Sequence, residues 1–73
     1  MKLKELKNIF IEYGVPKELY NLEGKGRKDE RFCLEYTGDK WNVFYVERGC
    51  RTTDLFFDSE EEACLYLYKE LIE

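Results

Sequence analysis

The chain has 73 residues and contains no histidine, which limits the chemistry it can perform. Histidine is the commonest general base and metal ligand, and most catalytic triads include one. No serine or cysteine has a plausible activating base nearby in the sequence. We therefore expect a protein that is not an enzyme and that uses neither a metal ion nor another cofactor.

Cysteine spacing is also uninformative, since Cys33, Cys50 and Cys64 match neither metal-binding nor redox patterns. An odd number of such thiols is typical of a reduced cytosolic protein. Long hydrophobic runs are absent too, since charges interrupt the opening MKLKELKNIFIEYG every few residues. That segment resembles neither a signal peptide nor a membrane span, so we expect a cytoplasmic location and no membrane partner.

The rest of the composition is that of a folded protein. There is one proline and no low-complexity tract, while six Tyr, five Phe and one Trp supply material for a core. A chain this short is close to the lower limit for a domain that folds without staples. We therefore predict a single domain over residues 1–73.

Two segments have the spacing of amphipathic helices. The apolar residues of the first are Leu3, Leu6, Ile9, Phe10 and Tyr13. Gly14, followed by Pro16, predicts its carboxyl end. The second begins at Ser59, where Glu62 completes a capping box. Its predicted buried residues are Ala63, Cys64, Leu67 and Leu71.

Three antiparallel strands are predicted between the helices, in RFCLEYTGDKWNVFYVERGCRTTDLFFD. TGDK forms a turn, with Gly38 and Asp39 at positions where a positive φ costs little, and Arg48–Gly49–Cys50 forms the next. The order is α-β-β-β-α. It predicts an α+β fold with a three-stranded antiparallel sheet and both helices on one face.

The middle strand, WNVFYVERG, is apolar on both faces. Trp41, Val43 and Tyr45 point to one side of the strand, and Phe44 and Val46 point to the other. Two helices cover one face, so we expect the remaining set to form an interaction surface unless residues 15–27 wrap across it. Because Glu47 shares the face of Trp41 and Tyr45, we favour Phe44 and Val46 as the inward residues.

The net charge of −4 is unevenly distributed. Residues 1–31 carry eight Lys/Arg and six Asp/Glu, whereas residues 32–73 carry four and ten. An acidic half favours a basic protein partner, although acidity also serves solubility alone.

Two segments suggest ligands on first inspection. Asp54 and Asp58, followed by residues 60–62, supply oxygen ligands suited to a hard cation. The glutamates already have a purpose at a helix start, where the dipole favours negative charge. The run GKGRK at 24–28 suggests a phosphate loop, but it lacks the full motif and is better interpreted as a solvated loop.

The element order is similar to that of double-stranded RNA-binding domains, which bind RNA through its shape and backbone. That family carries lysines at the start of its second helix. Here the same position reads Asp58-Ser59-Glu60-Glu61-Glu62, which repels phosphates. We therefore expect no nucleic-acid partner.

A second resemblance covers residues 14–72 and is strongest over 41–64. The strand WNVFYVERG, then Phe57 and the helix start SEEEAC, resemble small immunity proteins of bacterial polymorphic-toxin and contact-dependent growth inhibition systems. The resemblance implies a cytosolic protein that binds and blocks one cognate toxin domain, often a nuclease.

The resulting hypothesis is stoichiometric inhibition of a basic toxin domain by a monomer or weak homodimer. The predicted contacts are Trp41, Tyr45, Glu47 and Arg48 on the strand, with Asp54, Asp58, Glu60 and Glu61 as an acidic rim. The alternative is a small self-associating regulatory module that closes the apolar face with a second copy.

Overall fold

The computed structural model describes residues 1–23, 26 and 29–73, which form an α+β fold. The helices are α1 (Leu3–Glu12) and α2 (Glu60–Leu71), with a 3₁₀ turn at Lys17–Leu19. The strands are β1 (Tyr20–Asn21), β2 (Phe32–Tyr36), β3 (Trp41–Glu47) and β4 (Cys50–Phe57). In this part of the chain, no helix is long and apolar enough to cross a membrane.

The sheet has four strands in the order β1-β2-β3-β4, and not the three that were predicted. The three predicted strands are present and antiparallel, whereas β1 runs parallel to β2 and pairs Tyr20 with Phe32. A strand of two residues is too short to show an alternating pattern, which is why the sequence did not reveal β1.

Helix α1 ends, and helix α2 begins, at the residues that local chemistry predicts. Gly14 follows α1 with a φ of +71°, a conformation that glycine adopts without steric cost. At the start of α2 the Ser59 hydroxyl accepts a hydrogen bond from the Glu62 N–H at 3.2 Å. This bond satisfies one of the free N–H groups of the first turn.

The core lies between the sheet and the two helices, which pack on one face as predicted. The buried cluster comprises Leu6, Phe10, Leu22, Leu34, Val43, Ala63, Cys64 and Leu67. We call this side of the sheet the helix face and the opposite side the outer face.

The predicted orientation of β3 is wrong. Val43 is 0% exposed within the core cluster, and Trp41 packs against that cluster on the helix face. Tyr45 alternates onto the same face, so Phe44 and Val46 belong to the outer face. The prediction relied on Glu47 to mark the solvent face. Glu47 is the exposed last residue of β3, where a charge reaches solvent from either face, so it does not identify the inward side.

Candidate protein interface at the β4 edge

Strand β4 is the longest strand and ends the sheet order of the described residues. Six of its eight residues are exposed, and its pairing runs along the β3 side. The opposite edge is the two-residue β1. Very short edge strands are one way in which proteins avoid unwanted pairing, and β4 does not use it.

A bulge divides β4 into two parts. Tyr45 pairs with Thr53, whereas Val46 pairs with Arg51, so Thr52 has no partner across the ladder. Bulges bend an edge strand and increase its twist. The regular part of the edge therefore comprises residues 53–57.

Asn42, Arg51 and Asp54 form a polar network on the outer face. The buried Asn42 amide donates from Nδ2 to Asp54 Oδ1 at 2.8 Å and to the Leu55 carbonyl at 2.9 Å. Arg51 Nη1 donates to Asn42 Oδ1 at 3.1 Å and lies 3.4 Å from Asp54 Oδ1. The buried amide is thus bonded through both its nitrogen and its oxygen, and β3 is joined to β4 by side chains as well as by backbone.

Arg51 also covers an aromatic ring of the outer face. Its guanidinium carbon lies 3.8 Å from the centroid of Phe44, which is 1% exposed. The apolar stem and charged head of an arginine suit this role. At its centre, β3 is therefore buried on both faces, which explains its apolar residues without an exposed partner site there.

Two of the exposed large apolar residues, Leu55 and Phe56, lie on β4 itself. Leu55, opposite Val43 on the helix face, is 38% exposed, and Phe56, opposite Asn42 on the outer face, is 57% exposed. These neighbours present apolar surface on the two sides of the same edge. Three consecutive apolar residues, 55–57, in the last strand are the sequence signal that indicates this arrangement.

Acidic residues continue from the end of β4 into α2. Asp58 pairs with Lys40, and this hydrogen bond and the charge of Asp58 raise the pKa of Lys40. Glu61 Oε1 lies 3.5 Å from Lys2 Nζ. We call Leu55, Phe56, Asp54, Asp58 and Glu61 together the edge surface.

Glu60 has a structural role at this end of the molecule. Its Oε2 accepts a hydrogen bond from the Leu3 backbone N–H at 2.6 Å, and this contact is partly buried. The bond joins the first turn of α2 to the first turn of α1. Among the four predicted rim residues, Glu60 and Asp54 are therefore the two that bond within the fold through partly buried contacts.

Trp41 and Tyr45 are half-buried on the helix face rather than on a free surface. The Trp41 ring lies 4.7 Å from that of Tyr36, and the Tyr45 ring lies 4.9 Å from that of Phe32. These distances are typical of aromatic pairs that stabilise a sheet. Their surroundings indicate packing as the main contribution of both residues.

Glu47 and Arg48 lie at the opposite end of β4 from Asp58. Arg48 and Gly49 have φ of +53° and +81°, the positive values of a two-residue type I′ hairpin turn. The rise of a strand separates Cys50 from Phe57 by about 23 Å. The length of β4 therefore separates Glu47 and Arg48 from Asp58 and the acidic start of α2.

A groove of about 380 Å³ lies on the far side of the molecule, beside α1 and β1. Its walls include Lys7, Lys17 and Arg31. Lys7 Nζ lies 3.6 Å from Glu23 Oε1, and Arg31 Nη1 donates to the Lys17 carbonyl at 3.3 Å. Three basic residues therefore line this groove, and at least one of them is paired with a glutamate of the same wall.

Of the two ligand sites considered from the sequence, the carboxylate cluster lies within the described residues. Among residues 1–23, 26 and 29–73, no three His, Cys, Asp or Glu side chains come together as a metal site. The phosphate loop considered at 24–28 lies outside the described residues, apart from Gly26.

No family model matches this chain, and comparisons with curated proteins and with solved structures give no match. The resemblance to immunity proteins therefore remains a prediction from the residues of 41–64.

Proposed function

We propose that this chain is an immunity protein that binds a cognate bacterial toxin domain one to one in the cytoplasm and blocks it. The observation that carries the proposal is the edge surface. There, a strand edge of the described sheet lies beside the exposed Phe56 and continues into an acidic helix start. An aromatic centre with a charged rim is typical of tight protein interfaces.

The charge of this side selects the partner. Residues 32–73 carry ten acidic and four basic side chains, and three of the acidic ones belong to the edge surface. A basic domain, such as a nuclease with a cleft for phosphates, is attracted by this field and is steered toward it. In this role the protein contributes a complementary surface and carries out no reaction of its own.

The ion pairs of the edge surface are compatible with this role. Asp58 and Glu61 are held by Lys40 and Lys2 through exposed contacts. Exposed ion pairs of this kind contribute about 0–1 kcal/mol, so a basic partner replaces them at little cost. On binding, lysines or arginines of the toxin replace Lys40 and Lys2 as the partners of Asp58 and Glu61.

The test begins with capture of the tagged chain from its native cell and identification of the protein that accompanies it. That protein is then purified and its association rate measured with two double variants of equal charge change. Asp58→Lys/Glu61→Lys alters the edge surface, and Glu12→Lys/Glu18→Lys alters exposed residues 12 and 18. We expect the first pair to slow association by about tenfold or more and the second to have little effect.

Self-association is a second candidate function, favoured by the exposed Leu55 and Phe56. In that case the edge surface of one copy closes that of another, and the native cell yields copies of the same chain. Light scattering at several protein concentrations distinguishes the candidates. A lasting dimer that Phe56→Ala dissociates favours self-association, and a monomer favours the immunity function.

A further inference from the structure

We infer that the partner adds a strand to β4, so that its backbone extends the four-stranded sheet by one strand. This inference rests on the proposed function and specifies how the edge surface binds. In such β-augmentation, backbone hydrogen bonds supply affinity and alternating side chains supply specificity.

The backbone of β4 is arranged for this addition. The Leu55 carbonyl faces β3, because the Asn42 side chain of β3 reaches it at 2.9 Å. The N–H and C=O groups of successive residues in an extended strand point to opposite sides. The corresponding groups of Asp54 and Phe56 therefore point away from β3, where a partner strand can bond to them.

Side chains at this edge do not obstruct an approaching strand. Asp54, the charged residue in the middle of the regular part, is turned toward the sheet by its bonds to Asn42 and Arg51. Residues 53–57 contain no proline, and the bulge at Thr52 lies outside them. Proline, a bulge in the pairing stretch and outward charge are the usual protections of an edge strand, and this stretch uses none of them.

The side chains of the edge define the chemistry of the added strand. On the outer face it lies beside the exposed Phe56, which favours an aliphatic or aromatic residue. On the helix face it lies beside the partly exposed Leu55, which again favours an apolar residue. One of its ends lies near Asp58, which directly follows Phe57 and favours lysine or arginine there. The partner strand is thus apolar on both faces at its centre and basic at one end.

Charge argues against a second copy of the chain as the occupant. Pairing of two β4 edges brings together two acidic surfaces, each from a segment with ten acidic and four basic residues. Like charges opposed across an interface are unfavourable, whereas a basic strand is attracted by the acidic field of the chain. We therefore assign the edge to a basic protein partner.

The test uses nuclear magnetic resonance of the ¹⁵N-labelled full chain with an acetylated, amidated octapeptide that places lysine at both ends of a Val/Ile/Thr centre. We expect saturable shifts along residues 53–57 and hydrogen exchange slowed by about tenfold or more at the Asp54 and Phe56 amides. The Leu55 amide, which faces β3, changes less.

Two matched peptides separate backbone pairing from general attraction. The first has the same side chains, with alternate amides N-methylated along one edge, and we expect it not to slow exchange at Asp54 or Phe56. The second has glutamate in place of lysine, and we expect it not to bind. Equal responses to the methylated and unmethylated peptides overturn the inference, as do shifts confined to the first turn of α2 or no shifts at all.

The same measurement on a captured complex distinguishes this inference from the proposed function. If a toxin domain is inhibited while the Asp54 and Phe56 amides remain unprotected, the immunity function stands and strand addition is wrong. If the peptide pairs with β4 but the native cell yields no toxin, the edge site stands and the immunity function is wrong.

Discussion

The guanidinium carbon of Arg51 lies 3.8 Å from the centroid of the Phe44 ring, on the face of the sheet away from the helices. This pair is one of the contacts that cover the outer side of a strand that is apolar on both faces. The helices cover Val43, and an arginine from the neighbouring strand covers Phe44. The exposed apolar residues considered for binding, Leu55 and Phe56, therefore lie on the edge strand β4 and not on β3.

Removal of this cover is expected to destabilise the fold. Arg51→Ala exposes Phe44 and leaves the Asn42 oxygen without its donor, so we expect a loss of about 1–3 kcal/mol in the free energy of unfolding. Arg51→Lys retains the charge but not the planar group, and its loss should be intermediate. Urea unfolding followed by fluorescence measures both, and a change within about 0.3 kcal/mol for Arg51→Ala contradicts this role.

The β3–β4 turn offers a stabilising substitution. Arg48 adopts a φ of +53°, which is unfavourable for a residue with a long side chain. Asn followed by Gly is the preferred pair for a type I′ turn, so Arg48→Asn should raise the unfolding free energy by about 0.5–1 kcal/mol. Arg48→Val places a β-branched residue at the same φ and should lower it. Thermal unfolding of both variants checks the sign.

Two aromatic residues should separate folding from binding. Trp41 packs against the core, so Trp41→Ala should cost about 2–4 kcal/mol of stability. Phe56 is 57% exposed, so Phe56→Ala should change stability by less than about 1 kcal/mol while it weakens binding of the partner. Chemical denaturation and partner affinity are measured on both variants. A stable Trp41→Ala protein that fails to bind would instead restore Trp41 as an interface anchor.

Stability is expected to fall in alkaline solution. Burial in the core, with a further contribution from the charge of Glu60, raises the pKa of the Cys64 thiol from 9.0 to about 11. Burial likewise raises the pKa of Tyr66, with Glu70 adding to it. As the pH rises, the unfolded chain loses these protons before the folded protein does. The contribution of Cys64 is therefore complete below about pH 9 and is lost as the pH passes about 11.

Cysteine variants identify the contribution of Cys64 to this alkaline loss. Cys64→Ala should flatten the fall in unfolding free energy between about pH 9 and about pH 11, whereas the exposed Cys50→Ala should leave it unchanged. Denaturation at a series of pH values provides the comparison. An equal slope in all three proteins would assign the loss to other groups.

The fold was largely accessible from the sequence because its signals are local. Gly14 and Ser59 mark helix ends, and alternation identifies the three longer strands. The orientation of β3 could not be predicted, because apolar residues occupy both of its faces. The contact of Arg51 with Phe44 joins two different strands and has no local signal in the sequence. Asp54, Asp58 and Glu61 are exposed, whereas Glu60 is partly buried against the Leu3 N–H. Leu55 and Phe56 were overlooked because apolar residues of a strand are usually packed, although β4 is an edge strand in the prediction as well as in the structure.

The most direct test of the immunity function is a titration of the captured basic protein with the purified chain. The activity of the captured domain is identified first, starting with a nuclease assay. That activity is then measured as the chain is added up to and beyond one equivalent. We predict that the activity disappears at one equivalent of the chain. The Asp58→Lys/Glu61→Lys variant should need more than one equivalent to abolish it, whereas the Glu12→Lys/Glu18→Lys variant should behave like the unchanged chain. Full activity at a large excess of the chain would contradict the immunity function, as would capture of nothing but copies of the chain itself.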